Sequence, residues 1–183
     1  MRFDVPGYPL IFIQKELCKD TSAHEFTYIY KFRSPATRYN YILRADYHNE
    51  DVFGIKFYAQ PHRHSDLKYS KITNRGDVPN ILVSCLSVVP ILLAQHPTAS
   101  FGFIGARTVD KASQRIEGHQ NTQRYRIYKE LVKEKIGELT FEHVDYEQLS
   151  GYLLLNRAAG NLKIKEAAII DMFTETYNNL LDV

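Results

Sequence analysis

Cysteine is scarce in this 183-residue chain, with two residues in all, and Cys85 sits in the most apolar run, where a free thiol behaves as a small hydrophobe. Two cysteines offer neither a disulfide framework nor a cysteine-based metal spacing. Net charge is low as well, +2, too small to advertise nucleic acid or a membrane surface as a partner. No apolar run approaches the ~20 residues that span a bilayer, even around 81–93. A secretory pattern is lacking, since Leu10-Ile-Phe-Ile13 is too short for the apolar core of a signal peptide and no small-residue cleavage site comes after it. A cytoplasmic location is the expectation. Internal repeats, low-complexity tracts and domain linkers are lacking too.

The residues that are present make ordinary globular material. Hydrophobic residues make up 44% and charged residues 24%, which excludes disordered and fibrous classes. The length suits one domain, 1–183, large enough to bury a core. Charge is uneven along it: 107–135 holds eight basic residues against four acidic ones, a local net of +4. That segment reads either as a solvated loop and helix face or as a surface for an acidic partner or RNA.

Taken in order, Leu10–Ile13 suggests a short strand, with a polar stretch after it over 14–24. Phe26, Tyr28, Tyr30 and Phe32 then alternate with Thr27, Ile29, Lys31 and Arg33, the period of a strand with two unlike faces. Strands are expected over 39–45 and 52–59, with 46–51 as the polar turn between them, and a fourth strand over 67–73. Gly76 marks a turn, and Asp77 is placed to cap a helix that runs through Ile81, Leu82, Cys85, Leu86, Val88, Val89 and Leu92, kinked at Pro90. The run 99–106 is short, apolar and flanked by breakers, the mark of an interior strand. Strand 67–73, this helix and strand 99–106 are expected to form a right-handed parallel crossover.

A fourteen-residue polar loop, 107–120, leads to an amphipathic helix. Asn121 is its expected N-cap, and Tyr125, Tyr128, Leu131, Val132 and Ile136 form its apolar stripe up to Gly137. Strands over 139–144 and 149–156 should close the sheet as an antiparallel pair. A last helix, about 163–181 in a C-terminal segment 161–183, carries Ile164, Ala168, Ile169, Met172, Phe173, Thr176 and Leu180 on its apolar side. This C-terminal helix is a candidate for docking on a second copy of the chain. The expected fold is therefore α+β: a mixed, largely antiparallel sheet with one right-handed βαβ crossover, helices packed on it, and a C-terminal helix.

Over about 26–157 this order of elements resembles the GNAT-type acyl-CoA N-acyltransferase superfamily. Asn121 and Tyr128 are spaced as the asparagine and tyrosine of that superfamily's penultimate-helix pattern, and the run Tyr128-Lys-Glu-Leu131 is similar to the superfamily's own continuation of that helix. Of its pyrophosphate-loop pattern, the stretch 73–78 matches at Gly76. The chain also has the look of a family of small bacterial α+β proteins, which adds no chemistry. The superfamily resemblance implies an acyl-CoA, acetyl-CoA or longer, as cofactor and an amine as acceptor. It also implies that Arg75, Gly76 and Val78, with Asn121, hold the cofactor through backbone N–H groups at a helix N-terminus. Tyr128 would then protonate the departing CoA thiolate, work suited to a phenol with pKa near ~10. A second reading of Tyr128 makes it a core tyrosine with its hydroxyl at the rim. Asp77 read as a plain cap needs no ligand.

His62 and His64, one residue apart with Asp66 nearby, would suit a metal only if a further ligand converged on them. In a loop after Pro61 they read as solvated histidines, and no metal is expected. Phe101 and Phe103, on the buried-strand pattern, lie inside rather than on display for stacking bases, so nucleic acid is not the expected partner.

Overall fold

The computed structural model describes residues 2–71, 76–107, 109–110 and 115–177. Four strands, β1 (Ile11–Leu17), β2 (His24–Arg33), β3 (Asn40–His48) and β4 (Val52–Ala59), form an antiparallel meander. The β2 alternation has the expected result: Phe26, Tyr30 and Phe32 are buried in the main core, while Ile29 and Thr27 face the other way. Strand β1 is longer than Leu10–Ile13 suggests and takes in Gln14, Lys15 and Glu16. Polar residues are tolerated there because β1 is an edge strand, with one side unpaired.

Next come α1 (Val78–Leu86), α2 (Val88–Leu93) and β5 (Ser100–Ile104), which pairs with β4 in parallel. A two-residue pair, β6 (Val109–Asp110) and β7 (Arg115–Ile116), interrupts the polar loop. Helix α3 (Gln123–Lys135), strands β8 (Phe141–Tyr146) and β9 (Gly151–Asn156), and helix α4 (Leu162–Thr176) complete the chain. The seven-stranded open sheet runs β1-β2-β3-β4-β5-β9-β8, and every neighbouring pair except β4 and β5 is antiparallel. The fold is α+β.

Several expectations need correction. The segment 67–71 is not a strand: its backbone closes local turns, Ser70 N–H to Leu67 O at 3.0 Å and Lys71 N–H to Leu67 O at 3.1 Å. Residues 72 and 73 lie outside the described residues. The strand parallel to β5 is therefore β4, and the helices lie between those two in the chain. Pro90 does more than kink the helix. A proline cannot donate to the carbonyl of Leu86 and crowds it, so the helix ends and restarts at Ser87, with Pro90 in the first turn of α2, where no N–H is needed. The α3 cap is Thr122, whose side chain accepts the Tyr125 N–H at 3.2 Å; Asn121 precedes it in a left-handed conformation, φ 50°.

The sheet has two unlike faces. One carries Phe53, Phe101, Tyr152 and Leu154, packed against Ile81, Leu82, Cys85 and Leu86 of α1 and Leu131 and Val132 of α3. The opposite face carries Val52, Leu153 and Leu155 against Ile169 and Met172 of α4. The α4 apolar side is thus used within the chain. Ile164, placed on that side by periodicity, is 68% exposed, and Leu180 lies outside the described residues.

The end of β5 is stapled to the start of α3. Thr122 Oγ1 donates to the Gly105 carbonyl at 2.7 Å, and Gly105 N–H donates to the Ser150 carbonyl at 2.9 Å. The approach is so close that a Cβ on Gly105 would stand 2.4 Å from the Tyr125 nitrogen, a distance only glycine permits. This contact determines where the side chains of α3 enter the interior.

Candidate functional site

Strands β4 and β5 pair only from Val52↔Ser100 to Ile55↔Phe103. Beyond that last rung a cavity of about 340 Å³ opens, within the roughly 300–1,000 Å³ of small-molecule pockets. Its walls come from both faces of the sheet. On one side stand Phe57, Cys85, Phe103, Tyr128 and Leu131, and on the other Gly54, Gly102, Leu153, Ile169 and Phe173. Ile55, Lys56 and Phe57 of β4 and Phe103 and Ile104 of β5, the residues around the end of the ladder, line it together.

Tyr128 is brought to this cavity by α3. It is half-buried, and its hydroxyl makes no hydrogen bond with a described residue. Burial pushes the phenol up to about 12, a shift that Arg124 partly opposes, so it is protonated at neutral pH. Cys85, also on the wall, is raised well above the ordinary thiol range by burial and stays a thiol.

The α4 side holds a polar cluster that local composition does not reveal. Asp46 and His48, which local composition places in a polar turn, lie instead on β3 and are 2% and 1% exposed. Asp46 pairs with Lys56 and accepts from Thr27 Oγ1 at 2.6 Å, with Arg44 Nε at 3.8 Å. Burial works against its charge, but Lys56 and the Thr27 hydroxyl outweigh it and hold the carboxyl below the usual range. His48 Nε2 shares a 2.6 Å hydrogen bond with the Tyr177 hydroxyl, while its Nδ1 is buried without a partner among the described residues. Burial lowers His48 to about 4, so it is neutral at neutral pH. One signal was legible in the sequence: Arg44, Asp46 and His48 continue the alternation with Leu43, Ala45 and Tyr47, so the strand pattern runs through the acidic stretch.

Of the other expected site residues, Gly76, Val78 and Asn121 are not on the cavity wall. Gly76 is exposed, with φ 74° and open space around it, and Val78 packs at the edge of the main core. Asn121 donates its N–H to the Glu147 carbonyl at 3.1 Å and is not part of the cavity wall. Arg75 lies outside the described residues. Asp77 occupies the N-cap position of α1, yet its side chain caps nothing. It is 3% exposed and accepts from Tyr8 Oη at 3.0 and 3.1 Å, Asn80 Nδ2 at 3.0 Å, and the Ser34 hydroxyl. The carboxylate is therefore turned inward, tying the N-terminal segment and the β2–β3 turn to α1.

His64 Nε2 accepts from Arg63 Nε at 2.8 Å, and His62 packs edge-on to Tyr39. Among the described residues, no group of three or more His, Cys, Asp or Glu is placed to hold a metal ion. No helix among them is long and apolar enough to cross a membrane. No protein-family model, curated protein or solved structure matches the chain.

Proposed function

We propose that the chain is a GNAT-like protein that binds an acyl-CoA and transfers its acyl group to an amine. The observation that carries this reading is Tyr128, whose hydroxyl has no hydrogen-bond partner among the described residues, on the wall of a cavity beside the place where two parallel strands stop pairing. Supporting it are the order of elements, with a helical segment between parallel neighbours β4 and β5, and the α3 helix after them. A right-handed path for that connection belongs to the same proposal.

The thioester supplies an activated carbonyl carbon. The amine nitrogen bonds to that carbon as the carbon–sulfur bond breaks, and the sulfur takes the proton of the Tyr128 phenol. The proton shed by the amine goes to solvent, from which Tyr128 is recharged. Burial keeps the phenol neutral, the state a proton donor must start from, while raising its pKa makes it a weaker acid than an ordinary phenol. Around it, Leu82, Phe103 and Leu131 form apolar walls for the thioester. Gly76, Val78, Asn121 and Arg75 belong to the proposal as the binding groups for the pyrophosphate end. The inward turn of Asp77 removes a competing carboxylate from that end.

A thermal-shift titration with acetyl-CoA, longer acyl-CoAs and free CoA tests binding, and acylation of a panel of small amines tests transfer. Stabilisation by the thioesters with Tyr128-dependent transfer is expected. No shift with ligand on the order of millimolar would overturn the reading. The alternative, a non-catalytic module binding an acidic partner or RNA through 107–135, has less support. Arg124 and Arg126 are engaged by the carbonyls of Tyr69 and Asn121, Lys129 by Asp145 and Lys135 by Glu134. Salt-sensitive retention on heparin would favour it.

A further inference from the structure

The two ends of the cavity are built differently from what a short acyl group requires. A pocket for acetyl would close where β4 and β5 part, just past Tyr128. Here the lining extends to the α4 face, with Ile104, Leu153, Ile169, Ile170 and Phe173. Gly54 and Gly102 stand opposite each other on the next-to-last rung of the parallel ladder, just before the strands part, and neither projects a side chain onto the α4 face there. The nearest side chain to a Cβ on Gly102 would be the Phe173 ring, at 3.7 Å, and to one on Gly54 the His48 ring, at 3.6 Å. Both distances are ordinary van der Waals contacts, so the Phe173 and His48 rings lie over the glycine pair, and a side chain added at either position takes space from this side of the cavity.

The polar groups on that side are largely turned toward one another. Asp46 is held by Lys56 and Thr27, and His48 by Tyr177. The passage therefore presents mainly carbon to an occupant. An apolar space lined from both faces of a sheet fits a flexible unbranched alkyl chain better than a compact or polar group.

We propose that the α4-side half of the cavity holds the hydrocarbon tail of a medium-length, unbranched fatty acyl group, so that the acyl donor is a fatty acyl-CoA rather than acetyl-CoA. This rests on the acyl-CoA reading of the site. The shared chemistry, an alkyl chain, is also carried by a free fatty acid. Each methylene moved from water into such a passage strengthens binding by up to about fourfold. The gain is set against the ordering of the chain.

The test is a calorimetric titration of the full chain with CoA, acetyl-CoA, octanoyl-CoA and sodium octanoate, repeated on Gly102→Val and on Ile170→Trp, two independent ways of filling the α4 side. The expected result is octanoyl-CoA binding at least about tenfold tighter than acetyl-CoA, with that ratio collapsing toward one in whichever variants fold. Equal affinity for the two thioesters, or a ratio untouched by both substitutions, overturns the alkyl-chain proposal while leaving acyl-CoA binding in place. Binding of octanoate with no binding of any CoA species keeps the alkyl site and removes the acyltransferase reading. Binding of none of the four ligands removes both.

Discussion

His48 Nε2 and the Tyr177 hydroxyl meet at 2.6 Å although 129 positions separate them in the chain, and the bond closes the C-terminal end of α4 over the buried end of β3. Both groups come from stretches that look solvated in isolation. The His48 side chain reaches α4 through the space that Gly54 leaves beside it, and the Phe173 ring packs edge-on to the same imidazole.

This pairing makes stability depend on pH in a defined window. Burial lowers His48 to about 4 from 6.5, so between those values the unfolded chain takes up a proton that the folded chain refuses. Stability from this group is fully present above about pH 6.5 and falls as pH drops toward about 4, by roughly 3 kcal/mol at most. Asp46, whose carboxyl is held low, adds to the fall in the same direction, from the ordinary carboxylate range downward. Urea unfolding of the natural chain and His48→Gln between these pH values should show a steeper fall in the former. Parallel curves would refute the assignment. Tyr177→Phe should cost about 1–2 kcal/mol, because it leaves a second buried nitrogen of His48 unpaired.

Gly105→Ala is expected to be among the most damaging single-methyl additions to the chain. Its Cβ would stand 2.4 Å from Tyr125 N and 2.7 Å from Tyr125 Cα, and backbone cannot rotate away as a side chain can. Overpacking of this kind costs about 3 kcal/mol, seen as a lower urea midpoint with an unchanged slope. The matching change at Gly137, where a Cβ meets nothing within 4 Å, should be near neutral in comparison.

Asp77→Ala removes an acceptor shared by Tyr8, Ser34 and Asn80, and should destabilise the chain by about 3 kcal/mol. Tyr8→Phe removes one donor from the same centre and should cost about 1 kcal/mol. If Asp77 acted only as a helix cap, Tyr8→Phe would change nothing, and chemical denaturation of the two variants separates the cases.

Tyr128→Phe keeps the ring on the cavity wall and deletes a hydroxyl with no described partner. Stability should therefore change by less than about 0.5 kcal/mol. On the acyl-transfer reading, kcat should fall about a hundredfold or more while thioester binding changes little. Unchanged turnover would remove the proton-donor role.

The amino-acid order by itself determined the elements whose signals are local. The alternation of β2, the bounds of β4 at Val52 and Ala59, the interior character of the strand after Pro97 and the apolar stripe of α3 all come from side-chain period and from breakers nearby. Local signals failed where a distant partner altered the outcome. Asp46 and His48 read as turn residues because acidic and polar neighbours surround them. Pairing with β2 and β4 extends β3 through them, and Lys56, Thr27 and Tyr177 from elsewhere in the chain offset the cost of their burial. The segment 67–71 alternates well enough for a strand, yet the edge of β4 is taken by β5 and the segment satisfies its own backbone in turns. The position of Tyr128 on its helix was legible from the sequence. That its helix would stand over a gap in the sheet was decided by the closeness of Gly105 to Tyr125 and by the register at which β4 and β5 part, both properties of packing between segments far apart in sequence.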